Sequence, residues 1–308
     1  MQRPNIVVAG SMNMDIVVSM QRMPVVGETV QGEAIHYIPG GKGANQAVGA
    51  ARLGASVAMI GAVGGDLFGR QIEEKLANLG IDTAGIVRLD DEPTGTATIF
   101  HTADDNCIVI VAGANGRCSG QLIAAHAATI RRADLLLTQL EVPLEAVRAA
   151  MSAAKEAGVR TVLNPAPAAE LPDDVLRLAD YVTPNETEFA LMSGSSCSSE
   201  EEWEQAMRAW EQRYGHRLVV TRGSRGCSYL ADGTIRTVAA LPVEPVDTTG
   251  AGDAFNAALG YMLAAGSTLE AAVPFAIRAA SLSVTRFGAQ DGMPTLEEVE
   301  RAWTEGQR

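Results

Sequence analysis

The chain reads as an α/β protein, doubly wound about a mostly parallel sheet, with a small second β-sheet standing off it as a lid. Three observations carry that reading. Short apolar runs alternate with helical patterns through the middle of the 308 residues, and several of those runs end in polar residues. Two strand-rich inserts, at about 12–38 and 94–112, break the alternation without any helix periodicity. A single unit over 1–308 is expected, with the two inserts forming a lid or a dimer contact.

Asn5–Ala9 is an apolar run bounded by Gly10, the pattern of a strand buried on both faces. Asn13 and Asp15 follow in what reads as a turn at that strand's carboxyl end, where open α/β sheets bind ligands. Thr29-Val30 and Tyr37-Ile38 read as strand pieces of the first insert. Thr96–Phe100 and Cys107–Val111, joined by a polar turn at Ala103–Asn106, read as a hairpin in the second. Between the inserts, Pro39-Gly-Gly-Lys-Gly-Ala-Asn45 runs into a predicted helix over Gln46–Leu53 that stops at Gly54. The glycines there, Gly41 among them, let a backbone approach a ligand closely, while Lys42 and Asn45 offer donors.

Val57–Ile60, Leu135–Leu137, Val159–Leu163, Tyr181-Val182 and Leu218–Val220 then alternate with helical patterns at about 67–79, 119–131, 143–157 and 200–213. That order implies right-handed β-α-β units. Gln139 with Glu141, Asn164, Asn185 with Glu188, and Thr221 with Gly223 stand at strand ends and together predict a polar groove. Thr221–Gly226 reads as a hairpin or loop, and Ser193–Ser199 as a linker between helices. A helix over about 268–285 precedes the loop 286–292, whose direction the residues leave open.

Asp247-Thr-Thr-Gly-Ala-Gly-Asp-Ala-Phe255 is the stretch the rest serves. Gly250 and Gly252 precede an apolar-periodic run ending at Gly266, so a glycine turn opens a helix there. The unpaired amides of Gly250, Ala251 and Gly252, with the positive end of the helix dipole, would attract an anion. Asp253 would repel a phosphate unless it takes a proton from a hydroxyl attacking it. An acid in the first turn also simply suits the dipole, and on either reading the helix start is expected to keep Asp253 ionised.

The formal charge of −13 argues against nucleic acid or an anionic membrane as partner, since both are polyanions. The four cysteines and four histidines show no metal spacing, and no Gly-x-Gly-x-x-Gly turn follows the first strand, against a dinucleotide-binding dehydrogenase. No leader and no apolar run of membrane-spanning length is read, so a soluble cytoplasmic protein is expected.

Taken together, Gly40-Gly-Lys-Gly-Ala-Asn45, Asn164-Pro-Ala-Pro167, Asn185-Glu-Thr-Glu188, Thr221-Arg-Gly-Ser-Arg-Gly226 and Asp247–Asp253 resemble the ribokinase (PfkB-type) carbohydrate kinase family, with the motifs in family order nearly end to end. The resemblance implies a ribokinase-like fold whose lid is often shared across a homodimer. It implies ATP and Mg2+ as co-substrates, and phosphoryl transfer to the 5-hydroxyl of D-ribose. It implies that Asn13, Asp15, Gly41, Lys42, Asn45, Glu141 and Asp253 form the sugar site. Asn185, Thr221, Gly223, Gly226 and Gly252 are implied as nucleotide contacts, Glu188 as the acid that orders Mg2+ through water, and Asp253 as the catalytic base. A K+ site is implied near Asp247, Thr249, Ser283, Arg286, Gly288 and Gly292. Gly292 departs from the family's common Ser, and Ile277 from a polar residue beside the adenine. A kinase for 2-deoxyribose, another sugar or a nucleoside is the alternative within the class; a catalytically silent sugar-binding protein is the alternative outside it.

Overall fold

The computed structural model describes residues 3–102, 106–195 and 197–305. Strand β1 (Asn5–Ala9) is followed by β2 (Asn13–Ser19), β3 (Ala34–Gly40), α1 (Lys42–Arg52), β4 (Ser56–Gly64), α2 (Leu67–Asn78), β5 (Asp82–Leu89), β6 (Gly95–His101) and β7 (Asn106–Val111). A 3-10 turn, Gly113–Arg117, leads into α3 (Gly120–Ala125), α4 (Ala127–Ile130), β8 (Leu135–Thr138), α5 (Leu144–Glu156), β9 (Arg160–Leu163), α6 (Asp173–Leu176), β10 (Tyr181–Val182), α7 (Glu186–Ser193) and α8 (Glu200–Tyr214). The chain continues through β11 (Arg217–Thr221), β12 (Cys227–Ala231), β13 (Thr234–Val238), α9 (Ala251–Ala264), α10 (Leu269–Ser283) and α11 (Leu296–Glu305).

Nine strands form one sheet in the order β13-β12-β11-β10-β9-β8-β1-β4-β5. All pairings from β11 to β5 are parallel, and β12 and β13 add an antiparallel meander at one edge. Alternation along β1 decides the layering: Ile6 and Val8 pack with α1, α9 and α10, whereas Val7 and Ala9 pack with α3, α5 and α8. The sheet is therefore covered on both faces, which is why β1 is apolar throughout. From β1 the chain winds one way to β4 and β5 and the other way to β8 and beyond. The carboxyl end of β1 is thus the switch point where a crevice must open.

A separate four-stranded sheet, β3-β2-β6-β7, is built from the two inserts. Its β2 pairs in parallel with β6 and antiparallel with β3. Tyr37 of β3 packs against Phe68 of α2 with ring centroids 5.9 Å apart, tying this sheet to the body.

The structure departs from the sequence expectations at several places. Asn13 and Asp15 lie not in a turn but in β2, which Asn13 begins, and so belong to the small sheet as the 12–38 insert implies. Thr29-Val30 is not a strand; it lies in the 20–33 connection, which Glu28 folds on itself by accepting from the Val25 amide and pairing with Arg22. The helix starting after the glycine turn begins at Lys42 rather than Gln46. The pattern over 119–131 is two short helices that meet at His126. Of the hairpin turn expected at Ala103–Asn106, residues 103–105 lie outside the described residues.

Candidate active site

Gly41 shows why the glycine turn before α1 is built as it is. It caps the helix at φ 88°, and a Cβ there would lie 2.7 Å from the Asn13 amide nitrogen, so only glycine lets the turn lie against the β1–β2 connection. The close approach is to the chain's own backbone. It brings Lys42, Asn45 and Gln46 over the carboxyl ends of β1, β8 and β9. Ser11 Oγ donates to Glu141 Oε2 at 2.6 Å, and the Lys42 amide donates to the same oxygen at 3.1 Å, so Glu141 is held by one oxygen. Asn13 is fixed in the same way: Asn115 Nδ2 donates to Asn13 Oδ1 at 2.8 Å and to the Met12 carbonyl at 2.9 Å.

Asp253 lies in the first turn of α9 and is only 6% exposed. Asn45 Nδ2 donates to its Oδ2 at 2.9 Å, and Gln46 Nε2 to its Oδ1 at 3.1 Å. Burial pushes its pKa up; Lys42 and the two amide donors pull it down, and Glu141 adds to the rise. Burial opposes the ionisation that the helix start is expected to support, and the amides and Lys42 are what favour the charged form. Gly250 caps α9 at φ 78°, and a Cβ on it would lie 2.8 Å from that of Ala289. Among the described residues the Gly250 and Gly252 amides have no backbone acceptor, but that of Ala251 donates to the Thr248 carbonyl at 3.3 Å, so Ala251 is not the open donor the sequence suggested. A Cβ at Gly252 would meet nothing within 4 Å, which leaves that turn open to an anion.

Lys42 is the electrostatic centre. Burial lowers its pKa, but Asp253, Glu141, Glu188 and Asp15 together outweigh burial and raise it. Asp15 is pushed up to about 7, by burial first and then by Glu141 and Asp253, with Lys42 opposing. Asp15, Lys42, Glu141, Glu188 and Asp253, spread over more than two hundred positions of sequence, therefore act on one another in one crevice. The Asn45 Oδ1 atom is buried without a partner, an acceptor suited to a hydroxyl donor from a polyol.

Asn185 and Glu188 lie further along the strand ends. They form a capping box at the start of α7: the Glu188 amide donates to Asn185 Oδ1 and the Asn185 amide to Glu188 Oε2, both at 2.8 Å. Glu188 is buried, which raises its pKa against the opposing pull of the Asn185 amide and Lys42. Among the described residues no group of three His, Cys, Asp or Glu could hold a metal. A divalent ion here would rest on phosphates and water, with Glu188 as the protein's carboxylate. Thr221 bridges Asn185 in parallel fashion, and Gly223 begins the 3-10 turn that follows β11. Gly226 is spent on packing: a Cβ on it would lie 1.9 Å from the Val238 carbonyl. Arg222, silent in the sequence, ties this loop down. Its buried guanidinium bonds Glu200 at 2.9 Å, Glu186 at 3.2 Å and Ser228 Oγ at 3.1 Å, and lies 5.2 Å from the Trp203 ring centre. Ile277 packs in the hydrophobic core on α10.

The 286–292 loop returns to the site. Asp247 holds it, accepting from the Thr249 amide on Oδ1 and the Gly288 amide on Oδ2, each at 2.9 Å. A Cβ built on Gly292 would lie 2.5 Å from the Ser283 carbonyl oxygen, 3.1 Å from that of Gly288 and 3.5 Å from that of Arg286. Three carbonyl oxygens thus converge beside Gly292, a donor set that fits a monovalent cation such as K+. Asp247 adjoins this cradle through its bond to the Gly288 amide. The Ser283 hydroxyl is spent on the Ala280 carbonyl, so only its carbonyl faces the cradle.

Ser11, Gln46, Asn115, Thr183, Asn256 and Arg222 all serve this site without being picked out as site residues from sequence, whereas Gln139 and Asn164 join it as the groove residues expected at strand ends. Gln46 and Asn256 had a local signal, one being the next residue after Asn45 and the other lying on the first turns of α9. Asn115 had none.

A buried carboxylate beside an ammonium, set where a glycine-opened helix presents free amides, defines a phosphotransferase with an alcohol acceptor. The chain belongs to the pfkB family of carbohydrate kinases, whose profile matches residues 3–296. It is 43% identical over 296 residues to the ribokinase of Bacillus subtilis, covering 96% of this chain and 98% of that protein. It is 35% identical to the deoxyribokinase of Salmonella typhi, covering 96% of this chain and 97% of that protein. It superposes on the structure of Arabidopsis thaliana ribokinase complexed with ribose and ATP with a TM-score of 0.91 at 32% identity, covering 97% of this chain and 98% of the other.

Proposed function

We propose that this chain is an ATP-dependent kinase that transfers the γ-phosphoryl group to the 5-hydroxyl of D-ribose, giving D-ribose 5-phosphate. One observation carries it: Asp253, buried and bonded on both oxygens by Asn45 and Gln46, in one crevice with Asp15, Lys42 and Glu141. The likeness to the Bacillus ribokinase over 96% of the chain supports the choice of sugar.

In this account Asn13, Asp15, Gly41, Lys42, Asn45 and Glu141 hold the sugar. Glu141 Oε1 and Asn45 Oδ1 accept from hydroxyls, and Lys42 donates. A sugar hydroxyl donated to Asp15 favours its ionised form, so sugar binding and loss of its proton reinforce one another. Asp253 takes the proton of the 5-hydroxyl late in transfer, and the amides of Gly250 and Gly252 receive charge building on the phosphoryl oxygens. Such a base contributes about 10²–10⁴-fold in rate. Asn185, Thr221, Gly223 and Gly226 take the nucleotide, with Gly226 acting through the loop shape it permits. Glu188 would orient Mg2+ through water, an ion that neutralises phosphate charge when bound. The carbonyls of Ser283, Arg286 and Gly288, framed by Asp247, Thr249 and Gly292, would hold K+.

The small sheet acts as a lid over a unit comprising the whole chain, keeping water from the donor phosphate. Its edge strand leaves Ile108, Val109, Ile110 and Val111 each about half exposed, which supports a homodimer formed through the lid. No helix among the described residues is long and apolar enough to cross a membrane, and the cytoplasm is the proposed location.

ADP release over ribose, 2-deoxyribose, fructose and ribonucleosides, with and without K+, tests the proposal. Ribose should be the fastest acceptor. The Salmonella deoxyribokinase makes 2-deoxyribose the second reading, and a preference for it would replace the first. ADP formation with none of these sugars would leave a silent sugar-binding protein.

A further inference from the structure

We propose that Gln46 is a positioning residue for Asp253, locked by Gln139, so that the base is held by a hydrogen bond the substrate does not share. The proposal rests on Asp253 acting as the base. Gln46 is fully buried, and its amide is used at both ends. Nε2 donates to Asp253 Oδ1 at 3.1 Å and to Asn164 Oδ1 at 3.2 Å, while Oε1 accepts from Gln139 Nε2 at 2.6 Å. This polarity is imposed from outside. Asn164 gives its own Nδ2 to the Thr183 carbonyl at 3.1 Å and so presents oxygen to Gln46. Gln139 packs against Gly10, where a Cβ would lie 2.0 Å from Gln139 Oε1; that oxygen is buried without a partner, so the bond to Gln46 is what orients the Gln139 amide. A Gln46 amide turned the other way would set oxygen against the Asp253 carboxylate and nitrogen against the Gln139 donor.

The network closes on the helix that carries the base. Thr183 Oγ1 donates to Asn256 Oδ1 at 2.5 Å, and Asn256 Nδ2 to the Gly252 carbonyl at 2.8 Å. Residues at the ends of β8, β9 and β10 therefore grip both Asp253 and the turn before it. The other side-chain donor to Asp253, Asn45, belongs to the proposed sugar site, which leaves Gln46 as the contact that stays fixed through turnover. The charged groups facing Asp253 are Lys42 from α1, Glu141 from the loop after β8, Asp15 from β2 and Glu188 from α7. Replacing Gln46 by Met removes none of them, so a changed titration reports the lost hydrogen bond.

The test is kcat against pH, at saturating ribose and ATP so that Asp15 is held by sugar, for the wild type and for Gln46→Met, Gln139→Met and Asp253→Asn. In Gln46→Met the acid limb should move up by about one to two pH units, the worth of one charge-assisted hydrogen bond, with kcat recovering on the alkaline side and KM for ATP unchanged. Gln139→Met, which touches neither base nor sugar, should shift the limb the same way by less. A limb that stays in place in both variants, or a fall by the same factor at every pH, overturns the proposal and leaves Gln46 a packing residue. An active Asp253→Asn enzyme would overturn the assignment of the base itself, whatever the Gln46 variants do.

Discussion

Asp15 should make the ligand-free protein less stable as pH rises, and Asp15→Asn should reverse this. Its carboxyl moves from an ordinary 3.8 to about 7 in the folded chain, through burial and the nearby charges of Glu141 and Asp253. Between those two values the unfolded chain has lost the proton that the folded chain still holds. The folded state therefore binds more protons, and stability falls across that window and levels off above about 7. A shift of about three pH units corresponds to at most about 4 kcal/mol. For a chain of this size each kcal/mol moves Tm by about 2 °C, so the asparagine variant should melt several degrees higher at pH 8 and about level with the wild type at pH 4. The same variant should lose ribose binding, the usual exchange of stability for function at a polar site. Thermal melts at the two pH values with calorimetric ribose titration measure both. An Asp15→Asn protein that melts lower than the wild type at pH 8 would refute the reasoning, because it would mean the carboxylate is a net stabiliser.

Other consequences are as direct. Gly250→Ala forces a left-handed backbone and a 2.8 Å approach to Ala289; it should lower stability by about 1–3 kcal/mol and reduce kcat more than sugar affinity, read by melting and by steady-state kinetics. Gly292→Ala pushes a methyl group into the carbonyl cradle and should raise the K+ concentration needed for half-maximal thermal stabilisation, measured by melts across a KCl series. Val109→Lys on the lid's edge strand should convert the proposed dimer to monomer, seen by sedimentation, with little change in the melting of the body.

Much of the frame was legible because it rests on local pattern. β1 has the bounds its apolar run predicts, Gly54 and Gly266 stop α1 and α9, and the polar residues after β8 and β9 do line the crevice. What was missed depends on partners distant in sequence. α1 begins at Lys42 because its first residues pack on residues 10–13, a contact that no spacing reveals and that three glycines disguise as a loop. α7 is short and owes its start to the Asn185–Glu188 capping box, so those two residues read as loose strand-end polars. Thr29-Val30 has β-branched residues but no neighbouring strand to pair with. β12, β13 and α11 passed unremarked. In the site, the acidic and glycine positions could be found from their types, whereas the amide network of Gln46, Gln139, Asn164, Thr183 and Asn256 is joined only in three dimensions. The pull of burial on Asp253 is missing from the sequence reading for the same reason: the helix start is visible in sequence, and burial is not.

The most direct measurement is phosphorylation of ribose by the Asp253→Asn protein, followed by ADP release, beside calorimetric binding of ribose to the same protein. Loss of turnover by at least about 10²-fold with ribose still bound is the result that the base assignment requires. Turnover near that of the unaltered chain would contradict it.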